Sequence, residues 1–100
     1  MCIRDRGKTT YEVETRLNGK TRDLLLNTAG AVVETEEEVD IESIPPPAKA
    51  AILKRAGSGK VEMVEKLTAG SSVSYEGHIR TKAGRHIEAG VSADGSTHKD

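Results

Sequence analysis

The residues of this chain with chemistry to offer are three histidines, a dense acidic run and two glycine-lysine turns. Two imidazoles and a carboxylate can bind zinc. A hairpin register that aligns His78 and His86 with Arg80 and Glu88 on one outward face would bring such a set together. Arg80 in that patch opposes a cation, so solvated surface imidazoles are the simpler expectation for His78, His86 and His98. Glu34, Glu36, Glu37, Glu38, Asp40 and Glu42 could gather calcium, but the run lacks the glycine and the alternating Asp or Asn ligands of a calcium loop. It reads instead as a solvated connector or an edge that blocks aggregation. Gly57-Ser58-Gly59-Lys60 invites comparison with a phosphate-binding loop. Val61 stands where that loop needs Ser or Thr, Lys54 stands where it needs its first glycine, and the glycines end a helix rather than precede one. Gly19-Lys20-Thr21 has the right ending, but Glu14 replaces the first glycine and the segment is a hairpin turn. The serines cluster at turns, and no nucleophile sits beside a base, so the reading is non-catalytic with no cofactor.

The elements that must position these groups follow from periodicity. Residues 11–17 alternate Tyr, Val, Thr and Leu with charged side chains, as a half-buried strand requires. Asn18-Gly19 supplies the two positive-φ positions of a type I′ turn, and residues 20–26 return. Counting outward from that turn sets Val13 opposite Leu24 and Tyr11 opposite Leu26. A turn at Asn27-Thr28-Ala29-Gly30 leads to a third strand at 31–36. Pro45-Pro46-Pro47 starts a helix over 45–56 that Gly57 stops, with Ala48, Ala51 and Ile52 on one face and Ile44 as a staple. A strand over 60–68 follows, with imperfect alternation. The last hairpin carries Val73, Tyr75, Gly77 and Ile79 outward and Ile87, Ala89 and Val91 back. A three-residue loop with Gly84 at the left-handed position pairs Ile79 with Ile87, Gly77 with Ala89 and Tyr75 with Val91.

Composition limits what this scaffold can be. With 15 basic against 16 acidic residues there is no electrostatic drive toward nucleic acid. With Tyr11 and Tyr75 as the aromatics, the core must be built from Val, Leu, Ile and Ala. No apolar run reaches the ~18 residues of a membrane-spanning helix. Met1 to Arg6 has neither period nor cap, so residues 1–7 are expected to be a non-native or disordered segment. Cys2 is the chain's cysteine and lies within it, which leaves no disulfide elsewhere.

The two hairpins also superimpose in sequence. Tyr11-Glu12 matches Tyr75-Glu76 at an offset of 64, and Gly19 matches Gly84 and Gly30 matches Gly95 at 65, the extra residue falling in the turn. Two tandem helix-β-β-β-β repeats are therefore expected, the first truncated to 8–42 and the second occupying 43–100. The acidic connector, Ile44-Pro45-Pro46 with Ala48, the Gly57 stop, Tyr75-Glu76 in a strand and Asp94-Gly95 at the closing turn together resemble the PepSY-like family, also described as β-lactamase-inhibitor-like. The resemblance implies an α+β fold with a helix packed on an antiparallel sheet, a periplasmic or secreted setting, and a non-enzymatic role in binding or restraining other proteins. It supplies no catalytic residue. Protein interfaces favour Tyr, Trp and Arg anchors, and the scarcity of aromatics argues against specific inhibition of a β-lactamase. The expected contact surface for a protein or peptide is the outward face and free edges of the sheet, carrying Glu12, Glu14, Arg16, Arg22, His78, Arg80, His86 and Glu88. The rival is a divalent-metal or small-ligand accessory domain using the acidic run or the histidines.

Overall fold

The computed structural model describes residues 2–5 and 9–98. Among these residues eight strands form one antiparallel sheet in which every strand lies beside its neighbours in sequence. They are β1 (Cys2–Asp5), β2 (Thr9–Leu17), β3 (Lys20–Leu26), β4 (Val32–Val39), β5 (Lys60–Ala69), β6 (Ser72–Arg80), β7 (His86–Ser92) and β8 (Thr97–His98). A 3-10 turn at Ile41–Ser43 and one helix, α1 (Pro46–Ala56), interrupt the meander between β4 and β5. The α+β fold expected from the sequence, one helix on an antiparallel sheet, is the fold observed.

Turn chemistry fixes the registers. Asn18 and Gly19 take φ of 52° and 79°, which closes β2 onto β3 with Val13 opposite Leu24 and Tyr11 opposite Leu26. Three further loops share one design, in which the chain reconnects across five residues and the fourth is a glycine. Asn27 N–H donates to Ala31 O (2.9 Å), Thr81 N–H to Arg85 O (2.8 Å) and Ser92 N–H to Ser96 O (2.8 Å), with Gly30, Gly84 and Gly95 at φ near +90°. The second of these sets Ile79 opposite Ile87, Gly77 opposite Ala89 and Tyr75 opposite Val91, as anticipated.

Opposed residues in an antiparallel pair share a face, so the registers sort the whole sheet. Val39, Val64, Tyr75, Ile79, Ala89 and Val91 lie on the helix side, where Ile44, Ala48 and Ile52 complete the core. Proline at its first positions starts α1, and Gly57, donating its N–H to Leu53 O, ends it. Ile44 is buried against the cluster, as a staple should be.

Three expectations are corrected. Of residues 1–7, expected to be a non-native or disordered segment, Cys2–Asp5 instead pairs with Thr9–Glu12 as the ordered strand β1; a ladder needs backbone groups, not an apolar period. The acidic run was expected as a connector or edge, yet Glu34 to Glu38 form the interior strand β4, paired on both sides. Alternation explains this, since Glu34, Glu36 and Glu38 point away from the helix while Thr35, Glu37 and Val39 point toward it. Arg22 was expected on the outward face, yet it lies opposite Thr15 and Glu37 on the helix side, with its guanidinium 3.9 Å from Glu37.

Candidate binding face

The surface opposite α1 is built from the alternate residues of β2 to β7. Of the expected set, Glu12, Glu14, Arg16, His78, Arg80, His86 and Glu88 do lie on it, in two groups separated by β4 and β5. Glu12, Glu14 and Arg16 belong to the N-terminal hairpin, and the histidines, Arg80 and Glu88 to the C-terminal one. Between them the sequence reading missed Asp23, Glu36, Glu38, Glu65 and Glu76, which complete two rows of carboxylates running across the strands. Glu14, Asp23 and Glu36 stand side by side in one row. Glu38, Glu65 and Glu76 form the next. The backbone alternation of β4 and the opposition of Glu65 to Glu76 are the signals that could have found them.

Like charges directly opposite one another destabilise a sheet. The effect is visible at Asp23, whose carboxyl is pushed above the ordinary aspartate range by burial first and then by the charges of Glu12, Glu14 and Glu65. The face is not a plain solvated surface either. Leu25, at 2% exposure, sits in the ladder between Glu12 and Glu34, and Glu12 itself is 6% exposed. Thr21 N–H donates to Glu38 Oε1 at 3.2 Å, which holds that carboxylate against β3.

At the C-terminal end of the face, the His78 ring is surrounded by carboxylates from three strands. Its Nε2 lies 2.7 Å from Glu65 Oε1 and 3.3 Å from Glu76 Oε1, and its Nδ1 lies 3.6 Å from Glu88 Oε2. His86 stacks on it with ring centroids 5.5 Å apart. Arg80 turns away from this group, toward Glu62 (3.6 Å) and the carbonyl of Gly84 (3.0 Å). On the other side of the sheet, a groove of about 570 Å³ runs between α1 and the β4–β5 ladder, where Val39, Ile41, Leu53, Ala56 and Val61 share the lining with the charged Glu38, Asp40, Lys60 and Glu62. It gathers no nucleophile beside a base.

No protein-family model matches the chain, and no curated protein matches it in sequence. Solved structures do match in fold. A DUF2874 family protein from Bacteroides uniformis superimposes with a TM-score of 0.81 at 11% identity, over 98% of this chain and 73% of that one. A BLIP-like protein from Bacteroides fragilis gives 0.73 at 17% identity, over 98% and 70%. A DUF2874 family protein from Bacteroides ovatus gives 0.71 at 15% identity, over 98% and 72%. No helix among the described residues is long and apolar enough to cross a membrane. At these identities the likeness is one of architecture, and the chain shares the fold of these BLIP-like and DUF2874 proteins.

Proposed function

We propose that this chain is a non-catalytic module that binds a basic protein or peptide through the sheet face opposite α1. The observation that carries the reading is the pair of carboxylate rows, Glu14-Asp23-Glu36 and Glu38-Glu65-Glu76, set in the middle of that face. Placing acids opposite acids costs stability, and a cationic partner would relieve the repulsion while gaining favourable pairing. The same field repels nucleic-acid phosphates. Arg16 at one margin and Arg80 with His86 at the other would set the partner's register rather than its affinity. The fold shared with a BLIP-like protein supports a protein-binding role. An exported setting and an internal duplication belong to the same reading; the equivalent turns at Gly30 and Gly95 and the equivalent pairs Tyr11-Leu26 and Tyr75-Val91 support the duplication.

The test is a titration with a short peptide of alternating Lys and Leu, followed by amide chemical shifts. Binding should map to β2–β6 on the outer face, weaken with added salt as screened charges do, and weaken in Glu14→Gln and Glu38→Gln but not in Lys54→Gln on α1. Shifts confined to α1, or affinity unchanged in both glutamate variants, would overturn the proposal.

A further inference from the structure

We infer that Glu65, Glu76 and His78 form a binding site for a divalent transition-metal ion, zinc by preference. One ligand atom from each of the three lies within 4.8 Å of the others. Tetrahedral zinc with bonds of about 2.0–2.1 Å sets its ligands roughly 3.3 Å apart. The Nε2 separation from Glu76 Oε1 is already 3.3 Å, and that from Glu65 Oε1 is 2.7 Å. Opening the Nε2–Glu65 contact by about half an ångström would match that spacing, and the third separation, between the two carboxylates, is no more than 4.8 Å, within reach of side-chain adjustment.

The strands hold this geometry in place. Glu76 and His78 are two residues apart on β6 and so share a face, and Glu65 is directly opposite Glu76 on β5. Both strands are interior, paired on either side. The side chains are 13%, 18% and 15% exposed for Glu65, Glu76 and His78, sheltered enough for charge to matter yet open to an arriving ion. On the far side of the imidazole, Glu88 of β7 lies 3.6 Å from Nδ1. A carboxylate at the second ring nitrogen is the usual partner of a metal-bound histidine. The carboxylate oxygen 2.7 Å from Nε2 accepts a ring proton there; an arriving ion would displace that proton, and Glu88, drawing in from 3.6 Å, would hold the remaining one at Nδ1.

Charge points the same way. Three carboxylates gathered around one imidazole make a setting that favours an added cation. Arg80 would oppose a cation if it faced the cluster, but its guanidinium is engaged by Glu62 and Gly84 O. One imidazole nitrogen with two carboxylate oxygens suits zinc and its first-row neighbours rather than calcium or magnesium, which take oxygen ligands. His86 is not part of the set. Its ring is stacked on that of His78 at an interplanar angle of 25°, so the two rings present their nitrogens along nearly parallel planes instead of toward one point.

The experiment is calorimetric titration of the full chain with zinc chloride, and with calcium chloride as control, in a Cys2→Ser background that removes the chain's thiol. Expected are one zinc per chain and no calcium heat. Glu65→Gln, Glu76→Gln and His78→Ala should each weaken zinc by more than the 10- to 100-fold typical of an outer partner, Glu88→Gln should weaken it within that range, and His86→Ala should leave it unchanged. A readout independent of variant folding is the ¹⁵N shift of the His78 ring in the unsubstituted protein, which should move at Nε2 on zinc addition. Absence of stoichiometric zinc binding overturns the inference. So does retained affinity in both glutamate variants, dependence on His86, or a ring shift confined to His86 or His98.

Discussion

In the C-terminal hairpin Gly77 and Ala89 face each other beneath α1; at the corresponding point of the N-terminal hairpin stand Val13 and Leu24. The helix packs on β5, β6 and β7, and a Cβ added to Gly77 would come within 2.6 Å of Ile52 Cγ2. Val13 and Leu24 are half-buried. The same ladder geometry thus appears in two states: where a helix sits, the sheet gives up side-chain volume and takes it from Ile52; where none sits, the sheet keeps its own. A helix placed over the N-terminal hairpin as closely as α1 would meet two bulky side chains, so it would ride higher or carry smaller residues than Ile52. The two hairpins share turns and register without sharing a seat.

The comparison breaks most readily at Ile52. Ile52→Ala should cost about 2–5 kcal/mol in urea unfolding, whereas Leu24→Ala, at a half-buried position, should cost about 1 kcal/mol. Equal costs would mean that the N-terminal half is covered in solution, and a concentration-dependent midpoint would identify a second copy as the cover. Next, Gly77→Val should destabilise by roughly 1–3 kcal/mol through overpacking. Combined with Ile52→Ala, it should cost less than the sum of the two, because the clash partner is gone; strict additivity would refute the contact.

The third prediction contrasts the two faces. Asp23 has its carboxyl raised above the ordinary value of 3.8, so the folded state binds that proton more tightly than the unfolded state. Its contribution to stability therefore falls as pH rises from about 3.8 through the raised value, and the penalty is fully present above that value. Asp23→Asn should raise Tm at pH 7 and make no difference at pH 3; a lowered Tm at pH 7 would sink the argument. The smallest effect belongs to Lys20→Ala. The Lys20-Asp40 pair is close, at 2.5 Å, but exposed, and its loss should change stability by no more than ~0.5 kcal/mol in the same urea assay.

Much of the fold was legible because turn residues are local. Asn18-Gly19 and Gly84 set their registers without help from the rest of the chain, and Pro46 with Gly57 bounded α1. The candidate face was only half legible. Glu65 was hidden because β5 carries a bulge between Val61 and Met63, which breaks the alternation that would have assigned its side. The acids of β4 were read as an edge because Glu37 puts a charge on the helix side too, where Arg22 meets it, and that blurs the two-residue period. Arg22 went to the wrong face although the Asn-Gly register already set it opposite Thr15. Leu25 gave no signal, since one leucine within the run 24–26 cannot be told from its neighbours by pattern alone.

The strictly sequential strand order also bears on how the chain reaches its native state. Six of the seven steps from one strand to the next close a short loop onto the strand before, which is cheap in entropy and favours rapid folding. The exception is the step from β4 to β5, where the intervening chain must first form the 3-10 turn and α1. Pairing of Val39 with Val64 is thus the contact whose formation should limit the folding rate, and a shorter connection there would speed folding more than a shortened hairpin loop anywhere else in the sheet.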